Sequence, residues 1–301
     1  MGSRRVEYPV ELLRDHSDIE AVIELARRDP VSYVLALTHL EDGLASGALP
    51  GEVWAYRNGG ELVAACWVGA NFIPIFDLAL ADSAEYAAAL SAFISAARST
   101  GRRSSSLVGP AQTVLPLWNA VEDLWSPARE VRASQPSMVW DREPQCTADS
   151  RVRCAEPEDF DALLPASVHM FLEEVGVSPL RYGSVQYSRR VRELIAERRS
   201  FVMLRRDVEP GCTDSVGDQI VFKADIGALC NDVAQVQGVW VDPAFRSRGI
   251  AAPAMAQVAR IAQEQFDRTI SLYVNSYNHR ALKAYQTSGF SVAGEYATVM
   301  F

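Results

Sequence analysis

Val239-Trp240-Val241-Asp242-Pro243-Ala244-Phe245-Arg246-Ser247-Arg248-Gly249-Ile250-Ala251 leads from a strand into a helix through a short basic loop. The apolar strand stops at Asp242-Pro243, and an alanine-rich helix starts near Ile250 and runs to about Phe266. The first amides of a helix have no partner inside it and sit at the positive end of its dipole, so such an entry is a ready anion site. Arg246 and Arg248 add full positive charge, while Gly249 and Ala251 keep bulk away from the backbone. The spacing is neither G-x-x-x-x-G-K-[ST] nor G-x-G-x-x-G, which sets aside the Walker and Rossmann readings.

Further along, the strand Ser271-Leu272-Tyr273-Val274-Asn275 precedes Asn278, Ala281, Tyr285, Gly289 and Phe290, spaced Asn-x-x-Ala-x-x-x-Tyr-x-x-x-Gly-Phe. With the earlier Arg-x-x-Gly-x-Ala (Arg246, Gly249, Ala251), this ordered pair of motifs resembles the GCN5-related N-acetyltransferase (GNAT) superfamily over residues 151–301. The resemblance implies an α/β (α+β) GNAT fold, a mixed central sheet flanked by helices. It also implies acetyl-CoA as cofactor and direct transfer of its acetyl group to a primary amine. In this reading, backbone from Arg246 through Ser247, Arg248, Gly249 and Ile250 to Ala251 holds the pyrophosphate. Val239, Trp240 and Val241 pair with the pantetheine arm by strand addition, and Asn278 meets it from the next helix. Tyr285 takes the general-acid position beside the departing thiolate. Reference values near 10 for tyrosine and 8.5 for a thiol make full proton transfer uphill by about 2 kcal/mol, so a strengthening hydrogen bond is as good a reading as complete transfer.

A lysine amine with a pKa of about 10.4 costs roughly 4.6 kcal/mol to neutralise at pH 7, so a general base is expected. Histone-type members of the superfamily carry a glutamate on the fourth strand, where this chain has Gln235, with Gln237 on the same face. Neither accepts a proton at neutral pH. Glu173 and Glu174, in Phe171-Leu172-Glu173-Glu174-Val175-Gly176-Val177-Ser178-Pro179, are the leading substitutes, with the Phe301 carboxylate and Asp225 behind them. His169 and His279 read as helix-surface residues. The acceptor is first a protein lysine. A small amine, as in mycothiol or aminoglycoside acetylation, is the alternative. A reading of another class, a non-catalytic acyl-CoA sensor or interaction protein, is motivated by Gln235 and opposed by Tyr285. Arg181, Arg189, Arg190 and Arg192 fit either a solvated helix face or an anionic acceptor.

The 301 residues are about two domains' worth of chain. With 49% hydrophobic and 22% charged residues, the chain is neither disordered nor a small disulfide scaffold. Residues 1–150 hold 12 Lys and Arg against 20 Asp and Glu, and residues 151–301 hold 17 against 18, so the excess acid lies in the first half. That charge disfavours nucleic acid and suits a basic acceptor. Residues 1–145 have no counterpart of the anion loop and read as a degenerate GNAT-like domain, with 151–301 as the catalytic domain of a tandem pair. The layout resembles actinobacterial GNAT proteins with an N-terminal domain of unknown function, and mycothiol synthase is comparable. The polar run at 141–150 reads as the linker. Residues 1–8 lack the apolar run of a signal peptide. The stretch from Leu62 to Ala81 is broken by Gly69, Asn71, Pro74 and Asp77, as in two strands around a turn. A cytoplasmic protein without membrane partners is expected. Cys66, Cys146, Cys154, Cys212 and Cys230 form no C-x-x-C pair, so neither metal nor a disulfide framework is expected.

Overall fold

The structure, a computed structural model, describes residues 10–125, 127–181, 183–209 and 218–301; residues 1–8 and Cys212, read above, lie outside them. The chain divides into two compact units, Met1–Ser137 with Ala293–Phe301, and Met138–Val292.

The first unit runs β1 (Glu11–Leu13), α1 (His16–Ala26), α2 (Pro30–Ser46), β2 (Glu52–Asn58), β3 (Glu61–Val68), β4 (Asn71–Phe76), α3 (Ala84–Thr100), β5 (Ser106–Pro110) and α4 (Ala111–Val121), and includes most of β6 (Glu130–Trp140). Pro30 cannot continue a helix from Ala26, so α1 and α2 are separate helices, the second capped by Asp29 accepting from the Ser32 amide at 3.1 Å. The β2–β3 hairpin turns at Gly59 (φ 58°) and Gly60 (φ 91°), the left-handed pair that a tight hairpin needs. The run from Leu62 forms β3 and β4, and among the described residues no helix is long and apolar enough to cross a membrane. Strand order is β1-β2-β3-β4-β5, with only the β4–β5 pair parallel. Beyond β5 the edge is taken by the end of β12 (Phe290–Met300), Tyr296–Met300 running antiparallel to Ser106–Pro110. Phe72, Phe76, Phe93 and Trp125 dominate the core, and each buried large apolar side chain is worth about 1.5–3 kcal/mol.

The second unit contains β7 (Arg153–Cys154), α5 (Phe160–Val175), α6 (Ser184–Ala196), β8 (Ser200–Leu204), the short α7 (Arg205–Val208), β9 (Ile220–Leu229), β10 (Val233–Val241), α8 (Ala251–Phe266), β11 (Thr269–Tyr273) and α9 (His279–Thr287). Strand order is β11-β10-β9-β8-β7, and β10–β11 is the parallel pair. One face buries Ala254, Met255 and Val258 of α8 against Ala234, Val236, Ile270 and Leu272. The other packs Leu163 of α5 and Val191 and Ile195 of α6 against Val202, Leu204 and Trp240.

Two details depart from the sequence reading. The segment 141–150 is not a free linker. The Asp141 and Arg142 amides donate to the Gly289 carbonyl (3.3 and 3.1 Å), Gln145 to that of Thr287 (2.8 Å) and Asp149 to that of Pro253 (3.0 Å). Polar composition suggested a linker, yet these amides serve as partners for carbonyls at the end of α9 and in the first turn of α8. The units also divide at Ser137/Met138, and the last nine residues join the first of them.

Candidate functional site

The loop after β10 is pegged at both ends by apolar side chains, Phe245 and Ile250, buried in the second unit's core, and Arg246, Ser247, Arg248 and Gly249 are exposed between them. Asp242 shapes its start: one carboxylate oxygen accepts from the Ala244 amide (2.8 Å) and the other from Gln219 (2.7 Å). Ser247 (φ 63°) and Gly249 (φ 75°) both adopt the left-handed conformation, which turns successive amides toward one side before α8 begins. No side chain caps α8, and Pro253 in its first turn carries no amide proton. A Cβ built on Gly249 meets nothing within 4 Å, so the glycine is required by its φ and faces open space. An uncapped helix start, open room and basic flanks suit a phosphate-bearing group.

Beside this loop the sheet opens. β10 pairs with β11 only from Val233 to Gln235, opposite Thr269 to Ser271, and then continues to Val241 without it. On its other side β10 stays paired with β9, but Gly238 (φ 58°) and Val239 together oppose Ala224, since Gln237 faces Asp225 and Trp240 faces Lys223. This bulge bends β10 where it leaves β11. The β11-facing edge of Val239, Trp240 and Val241 is thereby left for an extended ligand.

Tyr285 projects from α9 into the core, 8% exposed, with its ring edge-on to Phe290. Burial first, and then the negative charge of Glu174, push its hydroxyl well above the usual tyrosine range. The charge of Glu174, at the end of α5, is thus felt at the Tyr285 hydroxyl. Asn278 caps α9, its Oδ1 accepting from the Ala281 amide at 3.2 Å, which leaves the amide nitrogen outside the cap.

The neighbouring Glu173 is placed differently. Its carboxylate accepts from Arg246 (2.6 Å) and from the Trp240 indole (3.3 Å), and Arg246 also donates to the Val241 carbonyl (2.9 Å). Glu173 thus straps the end of α5 to the basic loop. Arg248 lies 4.7 Å over the Phe245 ring and pairs with Glu209 (3.2 Å). Gln235 is buried and accepts from Gln237 at 2.8 Å, and Asp225 is engaged by Lys223. Phe301 belongs to the first unit, packed between Trp118 and Trp125. His169 and His279 are exposed on their helices. Of the α6 arginines, Arg189 pairs with Glu193, Arg190 donates to the Gly227 carbonyl and Arg192 covers the Phe160 ring.

The first unit has the same β-β-β-helix-β-helix run with a different loop. β4 leaves β5 after Asn71–Phe72, but residues 77–83 hold no arginine or glycine. Asp77 accepts from the Ala79 amide and from Arg28, and Ser83 caps α3 by accepting from Tyr86 at 3.1 Å. Side chains close and acidify the place where the second unit leaves amides open.

By sequence, residues 211–290 match the Acetyltransferase (GNAT) family, and residues 51–163 match a domain of unknown function (DUF4081). No curated protein matches the chain. Among solved structures, an acetyltransferase of the GNAT family from Colwellia psychrerythraea is 12% identical, with 97% of this chain and 99% of that one covered and a TM-score of 0.55. A GCN5-related N-acetyltransferase from Sphaerobacter thermophilus is 16% identical over 97% and 95%, also at 0.55. A tandem GNAT protein from the clavulanic acid biosynthesis pathway is 12% identical over 97% and 98%, at 0.53. The fold is that of a tandem GNAT protein. The acetyltransferase family match lies in the second half of the chain and the match to the domain of unknown function toward its N-terminus.

Proposed function

We propose that the second unit is an acetyl-CoA-dependent N-acetyltransferase acting on a primary amine, with a protein lysine as the first acceptor. The observation that carries this reading is the uncapped α8 start behind Ser247 and Gly249, set beside an edge of β10 that has parted from β11. Acetyl-CoA supplies an acetyl group activated as a thioester. The amides from Arg246 to Ala251 bind its pyrophosphate, and the backbone of Val239–Val241 orients the pantetheine. Glu174 takes the proton from the incoming ammonium, directly or through water. Tyr285 donates its hydroxyl proton in a hydrogen bond to the sulfur as negative charge grows there. Glu173 is assigned to the loop, because both of its oxygens are already engaged by Trp240 and Arg246.

Incubation of the full chain with acetyl-CoA and either lysine-containing proteins or a panel of small amines, read as free thiol, tests this reading. Thiol release with the lysine proteins is the expected result. Release with small amines alone moves the acceptor to that class. Tight binding of acetyl-CoA without release on any acceptor overturns transfer in favour of a sensor. The closed loop at residues 77–83 further predicts that calorimetric titration finds one acetyl-CoA per chain; two sites of similar affinity would contradict the assignment of roles to the units.

A further inference from the structure

Lys223 is wholly buried in β9, a position where an ammonium ion is expensive to place. Its Nζ donates to Asp225 Oδ2 (2.5 Å) and to the carbonyl of Gly238 (3.2 Å), and Asp225 Oδ1 accepts from Ser200 (2.8 Å). A chain of polar contacts thus crosses three strands, from β8 through β9, and ends on the one β10 residue in the left-handed conformation. The bulge interrupts the regular β9–β10 register here, and the Gly238 carbonyl has the Lys223 ammonium as a partner. The fit is close: a Cβ at 238 would stand 3.2 Å from both Lys223 Nζ and Asp225 Oδ2, and 3.0 Å from the Met170 methyl. Lys223 and Lys283 are the only lysines among the chain's 29 basic residues. Here a compact ammonium, which can donate in two directions from one atom, fits where a planar guanidinium would not. Apolar replacements of buried ion pairs are often neutral for stability, so stability alone gives little reason for this one.

We infer that Lys223 is the positioning residue of the bulge: by holding the Gly238 carbonyl it fixes the direction in which Val239–Val241 present their amides and carbonyls to pantetheine. The inference rests on the cofactor reading proposed above. The hydrogen-bond partners of Lys223, Asp225 and Gly238, lie outside the basic loop, so its loss acts on the pantetheine end of the ligand alone.

Two ligands separate the ends: CoA, and 3′-phospho-ADP, the CoA fragment that keeps the pyrophosphate and lacks pantetheine. In calorimetric titrations Lys223→Met is expected to weaken CoA about tenfold and to leave 3′-phospho-ADP within about twofold of the wild type. Unchanged CoA affinity, or equal loss for both ligands, overturns the assignment. Where Lys223→Met does not fold, Ser200→Ala, which takes one hydrogen bond from Asp225 and keeps the ion pair, decides: a smaller, CoA-selective loss supports the role, and none or a parallel one overturns it. A wild-type chain that binds neither ligand overturns the cofactor reading, and the role of Lys223 with it; binding of 3′-phospho-ADP but not CoA would overturn the pantetheine assignment alone.

Discussion

Tyr285→Phe is expected to lower kcat about 100- to 1,000-fold while leaving KM for acetyl-CoA within about twofold, the size of effect seen when one donor to a developing anion is removed. The phenol is 8% exposed and its ring packs edge-on against Phe290, so phenylalanine fills the same space and the core is preserved. Only the hydroxyl is lost. Its interaction with sulfur is weak in the bound thioester and strong in the departing thiolate, so the loss falls on turnover and not on binding. The direction of the pKa shift adds a second readout. Burial and the Glu174 carboxylate both raise the Tyr285 hydroxyl above its ordinary value near 10, which keeps it protonated, and able to donate, across the neutral and mildly alkaline range. The kcat profile should therefore show no alkaline decline from this group below about pH 10. Turnover of the phenylalanine variant at the wild-type rate would assign Tyr285 to the core alone.

Gly249→Val is expected to weaken acetyl-CoA about 100-fold or more in a direct titration, with the chain still folded. The left-handed conformation at φ 75° costs an ordinary residue about 1–2 kcal/mol and a β-branched one more, so the loop must distort. That distortion turns the amides ahead of α8 away from a common direction. The new methyl groups also enter the open space beside the loop, where nothing stands within 4 Å of a built Cβ. Gly59→Val is the control. Gly59 has a similar φ of 58° in the β2–β3 turn of the first unit, so the substitution should lower Tm and leave cofactor affinity unchanged. Affinity in Gly249→Val within about threefold of the wild type would remove the loop from the binding site.

Much of this was legible in the chain because local chemistry dictated it. Pro30, Gly59-Gly60 and Asp242-Pro243 punctuate elements wherever they occur, and a helix entered through Arg-x-x-Gly-x-Ala declares its own anion site. Glu173 and Glu174 were not separable in this way. They are adjacent, and only the fold shows that the carboxylate of one reaches Trp240 and Arg246 while the charge of the other is felt at Tyr285. The bulge did leave a signal, since Gly238 interrupts an otherwise strand-forming run. Lys223 within Val221-Phe222-Lys223-Ala224 was a charge in an apolar strand, and its partners two and fifteen residues away belong to tertiary structure. Residues 141–150 looked like a linker because composition records polarity and not which carbonyls the backbone will meet.

The pairing of Tyr296–Met300 with Ser106–Pro110 bears on how the chain is made. A ribosome delivers β1 through β5 early, with the edge of β5 still bare. The strand that covers it arrives only after the whole of the second unit has been synthesised. Until then Leu107 and the aromatic cluster around Phe72 and Trp125 lack Ala297, Val299 and Phe301 above them. The half that comes out first is thus the half that must wait to close, holding an unpaired strand edge of the kind that invites wrong partners, while the later half has all of its own residues in hand before the chain is released.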